Sequence, residues 1–381
     1  MLKVRKPILT TIVVIVGLLY FISGIIKLND PLGFSYKLQE YFSVFGLSFL
    51  SNIATTFSII IGVLEVSLAL FLLLGIYRII TLKGLLFSIL FFTLLTFISA
   101  AFKLVTDCGC FGEVLIISPW LSFFKDVIIF ILIWLIYKNQ NELPNSLIKE
   151  KSTKIAAFII VNVGLILGIF TFNFLPFIDF SAFKKGVNLM EIGGSRDEYE
   201  IIYLLKNIKS GEEKQLNQDD YNSSGIWKDK DWEIFGEPTR NLTKKGKKNS
   251  VQHLIIRDEF STDYTQELLG NPYYNLIIVA PDLGDVNINA LGNMNALTIN
   301  VAEQFNIRSI LLTSSLPKEA NDTAKNLKLF PLIFYADGSI VKSIVRSKPG
   351  LVLLKDGIII DKWHFNNMPK LEELTQKYFN Q

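Results

Sequence analysis

Residues 84–112 read GLLFSILFFTLLTFISAAFKLVTDCGCFG. The run from Gly84 to Phe102 carries no charge and is long enough to cross a bilayer, which takes about 20 apolar residues. Five residues later comes Asp107-Cys108-Gly109-Cys110-Phe111-Gly112. The 381-residue chain has only 2 cysteines, so its thiol chemistry passes through this one tip. A second apolar run, Trp120 to Tyr137, follows. A tip of this kind between two spans defines a membrane protein. The side of the membrane that it faces then decides the chemistry open to it.

Working outward, three further runs are long enough to span: Ile8 to Lys27, Ile53 to Leu74 and Ile155 to Leu175. The first follows Lys3, Arg5 and Lys6. Its length, and its ending in Ser23-Gly24-Ile25-Ile26-Lys27, fit a retained helix better than a cleaved leader. Apolar residues make up 50% of the chain and aromatic ones 13%. The excess lies in the first 180 positions or so, which predicts a membrane half followed by a soluble half. A net charge of +3 gives no reason to expect nucleic acid.

Positive charge sorts the loops. One side collects Lys3, Arg5 and Lys6, then Arg78 and Lys83, then Lys138, Lys149, Lys151 and Lys154. The other has Lys37, with Lys27 at its border, and Lys103. The bias predicts a cytoplasmic N-terminus and, after five crossings, an extracytoplasmic C-terminal half on the same side as the cysteines. In a bacterium with two membranes that places the chain in the inner membrane and the C-terminal domain in the periplasm, where disulfides persist.

Ionisable residues inside spans are costly and invite a reason. Glu65 lies within the second span, and Lys125 and Asp126 near the outer end of the fourth. One reading is structural: these groups, with Lys27, face the bundle interior, pair and fix helix packing. The other makes Glu65 a proton or quinone contact.

Two cysteines one residue apart close a very small ring. A disulfide there departs from relaxed geometry and is easier to reduce, and Gly109 supplies backbone freedom. The pair Cys108/Cys110 therefore suits exchange with a partner thiol. A static loop bond or inert thiols remain the alternative. Two thiols are too few for a metal site, and both histidines, His253 and His364, belong to the soluble half, so no metal is assigned.

Several stretches resemble DoxX-like membrane proteins. These are Gly17, Ser23 to Leu28, Asp30-Pro31-Leu32-Gly33-Phe34, Lys37 to Phe42 as part of an outer loop, and Gly62-Val63-Leu64-Glu65. Asp107 to Gly112, followed by Trp120 and Lys125-Asp126, resembles the MauE branch of that superfamily. The resemblance covers about residues 1 to 140 and implies a four-helix membrane core. MauE proteins are associated with methylamine utilisation and with disulfide formation in a partner. Leu175 to Phe180, with Gly186 and Asn188, resembles longer DoxX-family proteins of the Bacteroidetes type, which carry an extra helix and a soluble tail.

In the soluble half, Tyr199 to Asn207 alternates like a strand, with a turn at Ser210-Gly211 into a second. Residues 217–250 are polar, and Lys244 to Lys248 reads as a solvated basic loop. Beyond Val251 the pattern becomes regular. Strands are expected at His253–Arg257, Asn275–Ala280, Ser309–Thr313, Leu332–Tyr335, Leu351–Leu354 and Ile358–Trp363. Helices are expected at Tyr264–Leu269, Asn287–Phe305, Lys318–Asn326 and Leu371–Phe379. Such alternation implies an α/β sandwich. The ending, a proline, a strand, an Asp-Gly turn, a strand and a helix, resembles the thioredoxin fold. That resemblance implies a cis bond at Pro349, on the face that binds partners. The stretch after Ala280 lacks the Cys-x-x-Cys of thioredoxin-like enzymes, so this domain cannot itself run dithiol exchange. His364, a lone histidine beside Trp363, reads as a structural or surface residue.

The expected architecture is an α-helical membrane bundle followed by an α/β thioredoxin-like domain. The DoxX/MauE-like four-helix core occupies 1–140, and a linker with a fifth transmembrane helix 141–180. A polar connecting region with a hairpin occupies 181–250, and the thioredoxin-like domain without redox cysteines 251–381. The expected function is extracytoplasmic thiol–disulfide electron transfer, or maturation of a partner protein, through Cys108 and Cys110. Whether this is an enzyme is left open. A non-catalytic membrane-anchored scaffold and a quinone-linked subunit of an oxidoreductase are the alternatives. The expected partners are the lipid bilayer and a periplasmic or membrane protein with redox thiols. No cofactor is identified, with a quinone left open, and the oligomeric state is not set by the sequence.

Overall fold

The computed structural model describes residues 5–102, 117–192, 198–235, 239–244 and 254–380. Cys108, Cys110 and His253 lie outside these residues, as do positions 245–248 of the basic run.

The chain opens with α1 (Lys6–Asn29), whose first position, Lys6, is followed by Pro7. Pro is tolerated in a first turn because the amide it lacks has no intrahelical acceptor. Asp30 ends α1 and caps α2 (Pro31–Val44), accepting a hydrogen bond from the Gly33 amide. The stretch that reads as part of an outer loop is thus a helix. A short 3-10 turn leads into α3 (Ala54–Leu74), followed by α4 (Arg78–Phe102), α5 (Pro119–Lys138) and α6 (Glu150–Asn173). Among the described residues five helices are long and apolar enough to cross a membrane: α1, α3 with its leading turn, α4, α5 and α6.

These helices invert the soluble pattern. Large apolar side chains such as Leu18, Ile22, Phe87, Leu90, Leu94 and Ile166 point outward, while Ser58, Thr81, Thr96, Ser99 and Ser122 are buried. In lipid the outer face gains nothing by hiding apolar groups, so association rests on close packing and internal polar contacts. α1 and α3 show how close. A Cβ added at Gly24 would lie 2.8 Å from the backbone nitrogen of Val66, and one at Gly62 2.8 Å from the Leu28 side chain. α4 and α5 complete the main cluster around Val16, Tyr20, Leu72, Leu85 and Ile133. α6 packs on α1 and α3 around Leu28, Val63 and Val66.

After α6 the chain forms α7 (Leu189–Ile192) and then a four-stranded antiparallel sheet, with α8 (Gln218–Ser224) between its second and third strands. The long strand β1 (Glu198–Asn207) pairs on one side with β2 (Glu213–Asn217). Its other side is shared by β3 (Trp232–Ile234) and β4 (Thr239–Lys244). Residues 217–235 and 239–244 therefore hold more regular structure than their polar composition suggests.

The last segment holds α9 (Thr265–Leu269), β5 (Tyr274–Ala280), α10 (Ile288–Phe305), β6 (Arg308–Thr313) and α11 (Pro317–Leu327). It continues with β7 (Leu332–Tyr335), α12 (Gly338–Ile344), β8 (Gly350–Lys355), β9 (Ile358–His364) and α13 (Leu371–Leu374), which runs on as a π turn to Phe379. The sheet order is β7-β6-β5-β8-β9. β5 runs parallel to β6 and antiparallel to β8. Side chains alternate between faces along a strand. Ile277, Val279, Ile310 and Val352 face one core with Ile340 and Ile344 of α12. Leu276, Ile278, Leu311 and Leu353 face the other with Leu291, Met294 and Val301 of α10. Cover on both faces explains why β5 is almost wholly apolar rather than alternating. The β8–β9 hairpin turns on Asp356 and Gly357, both at positive φ (49° and 72°), as a two-residue turn of matching twist requires. The Lys348–Pro349 peptide bond is cis.

Candidate functional site

The chemistry-bearing residues of the membrane half converge between α1, α3, α4 and α5. Ser23 and Lys27 share one face of α1, four residues apart. Lys27 Nζ lies 2.6 Å from Ser23 Oγ, and 3.0 and 2.7 Å from the two oxygens of Glu65 on α3. Lys27 and Glu65 are 2% and 4% exposed. The ammonium also stands 5.2 Å from the ring centre of Phe34 and 5.8 Å from that of Phe92, whose faces favour a cation. Here the charges compensate one another, as buried charges must.

A second pair lies across from the first. On α5, Lys125 Nζ is 3.0 Å from Asp126 Oδ1. On α4, the Thr96 hydroxyl is 3.2 Å from Asp126 Oδ2. Between the pairs is a space of about 40 Å³, lined among others by Tyr20, Ser23, Lys27, Glu65, Lys125 and Asp126. A water needs at least about 10–15 Å³ of such space, so the cavity suits a few waters. All four membrane-half charges singled out in the sequence, Lys27, Glu65, Lys125 and Asp126, thus meet at one place. Ser23, Thr96 and Phe92 complete it. No sequence signal marks these three beyond their helical spacing to their neighbours.

The C-terminal sheet sits on one end of this bundle. Asn29, at the end of α1, donates to the Ile178 carbonyl (2.8 Å) and accepts from its amide (3.1 Å). Asn366 donates to the carbonyl of Asn173 at the end of α6 (2.8 Å). Arg346 Nε donates to Asp30 Oδ2 at 2.7 Å, with Arg346 only 6% exposed. Lys342 and Lys348 both stand over the Tyr36 ring of α2, at 5.1 and 5.8 Å. Lys348 also pairs with Asp285, and its carbonyl accepts from the Asn287 amide at 3.0 Å. The residues after β5 and the loop before Pro349 therefore lie together, and that loop faces the bundle's own α1–α2 corner. Burial pushes the Tyr36 phenol well above its ordinary range.

Around β9, Lys362 is buried. It donates to Asp179 and to the carbonyls of Phe183 (2.8 Å) and Ile344 (3.1 Å). Burial alone would raise the Asp179 carboxyl, but the Lys362 ammonium and the hydrogen bonds from Ser181 together hold it below its usual value. His364 is packed against Phe365 and near Phe174, and its Nδ1 accepts from the Asn366 amide at 3.1 Å. Burial lowers its pKa to about 4, so it is a neutral core residue at ordinary pH. Among the described residues no group of three or more His, Cys, Asp or Glu is placed to hold a metal ion.

Five bilayer-length helices with polar groups turned inward define a multi-pass membrane protein. Residues 5–138 match the family model described as Methylamine utilisation protein MauE. The match takes in α1 to α5, with all four charged residues of the cavity and both cysteines, and covers about a third of the chain. No curated protein matches the chain.

Proposed function

We propose that this protein is a membrane component of extracytoplasmic thiol–disulfide chemistry, acting on a partner protein through Cys108 and Cys110. The observation that carries the reading is one of placement. Residues 103–116 connect the end of α4 to the start of α5, and both cysteines lie in that connection. The helix ends that flank them in sequence, Phe102 of α4 and Pro119 of α5, belong to the same end of the bundle as the C-terminal ends of α1 and α6, on which the C-terminal sheet sits. The MauE match over residues 5–138 supports it. In the exchange, two thiols on one protein become a disulfide as a disulfide on the other becomes two thiols. Electrons and protons balance between the two proteins, and no resident cofactor is needed.

The C-terminal segment is read as thioredoxin-like, supported by its mixed five-stranded sheet with helices on both faces. Since the Pro349 loop is engaged with Asp30 and Tyr36 of the same chain, the domain acts as a fixed positioning element rather than as an exchanger. The charge bias assigns this end of the bundle to the periplasm and the N-terminus to the cytoplasm of an inner membrane.

Thiol trapping in intact cells with a membrane-impermeant reagent tests the reading. Recovery of the pair in both oxidised and reduced forms, or in a mixed disulfide, is the expected result. A pair that stays fully oxidised and unresponsive makes the loop bond static and the protein a scaffold. Labelling only after lysis, despite prior reduction, points to a cytoplasmic or buried pair and counts against the topology.

A further inference from the structure

We propose that the cavity between α1, α3, α4 and α5 is a water-holding proton-exchange site, and that Asp126, not Glu65, is its proton-accepting group.

The two carboxylates are held differently. Each Glu65 oxygen lies within 3.0 Å of the Lys27 ammonium, whose third donor direction meets Ser23. Both Glu65 oxygens are thus engaged by one ammonium. Asp126 has one oxygen on Lys125 and the other on the Thr96 hydroxyl. That hydroxyl is also 2.9 Å from the Phe92 carbonyl and 3.1 Å from that of Thr93. A threonine has one proton to donate, so three acceptors compete for it, and Asp126 Oδ2 receives at most a share. Asp126 keeps spare acceptor capacity, is only 2% exposed, and lines a space with room for water.

Access is also asymmetric. Lys125 is 26% exposed along its side chain, whereas Lys27 and Glu65 are sealed at 2% and 5%. Lys125 and Asp126 sit within the first two turns of α5, which starts at Pro119. A proton reaching Asp126 therefore comes from this end of the bundle and passes Lys125. Among the described residues, the charged groups facing Asp126 are Lys125 on its own helix and Lys27 and Glu65 across the cavity, and α4 contributes the neutral Thr96. Binding is a simple association in which carboxylate and proton give carboxylic acid. It needs no redox partner and stands independently of the cysteine chemistry.

The test is infrared difference spectroscopy of the full chain in lipid nanodiscs, titrated from mildly acid to mildly alkaline pH. A protonated-carboxyl band should titrate in the wild type. It should vanish in Asp126→Asn and persist in the doubly neutral Lys27→Met/Glu65→Met protein. Thr96→Val removes a donor to the carboxylate and should raise proton affinity by up to about tenfold, or one pH unit. Should Asp126→Asn fail to fold, the Thr96→Val midpoint decides. No titrating band in the wild type, a band that survives Asp126→Asn, or a midpoint unmoved by Thr96→Val overturns the proposal.

Discussion

Lys27 and Glu65 are separated by 38 positions in sequence, yet one ammonium meets both oxygens of one carboxylate at 3.0 and 2.7 Å inside the bundle. The bridge fixes the rotation of α1 against α3, because each helix presents one charge and each charge needs the other.

Removing one partner leaves an uncompensated buried charge. Lys27→Met is expected to destabilise the protein by about 3–5 kcal/mol, and Glu65→Met similarly. The double variant should be closer to wild type than either single one, since it buries no charge. Thermal unfolding of all four proteins in one detergent checks this. Additive losses would show that the two groups do not act as a pair.

Gly24 and Gly17 both face α3, but they meet different obstacles. A Cβ added at Gly24 would press on the backbone nitrogen of Val66 at 2.8 Å, which cannot rotate away. At Gly17 the neighbour is the end of the Leu73 side chain, at 2.5 Å. Gly24→Ala should cost about 1–3 kcal/mol as overpacking, and Gly17→Ala less, because Leu73 can change rotamer. The ranking can be read from unfolding midpoints, and a reversed order would refute the argument.

Arg346 is buried on the sheet side, whereas Asp30 is a quarter exposed on the bundle side. Arg346→Ala should therefore cost about 3 kcal/mol, the low end for breaking a buried pair. It should also loosen the C-terminal domain, so that limited proteolysis cuts faster between α6 and β1. Arg346→Lys should restore only part, because a compact ammonium cannot serve both Asp30 and the Lys342 carbonyl in the fixed geometry of a guanidinium. An unchanged cleavage rate in Arg346→Ala would place the hold elsewhere.

His364 makes the C-terminal domain sensitive to acid. Its pKa falls from 6.5 to about 4 on burial. The unfolded chain therefore binds the extra proton first as pH drops. Stability is full above about pH 6.5, declines as pH falls towards 4, and from this group declines no further below that. Asn can still cap the following turn through its side chain, so His364→Asn should flatten this part of the curve. Denaturant unfolding across the window is the measurement, and an unaltered slope would assign the acid loss to other groups such as Asp179.

The spans are legible because about twenty apolar residues carry their own signal. α1, Lys6–Asn29, extends two residues past its apolar run Ile8–Lys27 at each end, whereas α3, Ala54–Leu74, matches its run Ile53–Leu74 to within one residue. β5, β6 and β8 are legible for a similar reason: burial on both faces leaves apolar runs such as Asn275–Ala280, while β7 and β9 show as short runs rich in Ile, Phe, Tyr and Trp. α2 reads as a loop because Ser35, Lys37, Gln39 and Glu40 interrupt it. The Asp30-Pro31 start, a cap followed by a first-turn proline, was the cue to a helix. α12 hides behind Asp337-Gly338-Ser339, which looks like a turn. β3 and β4 hide in a polar stretch because they are short and share one edge of β1. For the site, each charged residue stands out alone as an intramembrane ionisable group, but the choice of partner does not. Lys27 could pair with Asp126 as readily as with Glu65 until the helices are packed. Asp30 and Arg346 carry no local sign at all, since their relationship exists only in the tertiary structure.

The reach of that last pair also bears on how the protein is made. Asp30 emerges early in synthesis, and the arginine that receives it follows 316 residues later. At about 5–20 residues per second, the first two helices wait roughly 15–60 s for the surface that covers Tyr36 and Asp30. During that interval the α1–α2 corner is bare, so any truncated or stalled chain displays it. Completion of the C-terminal sheet covers that corner.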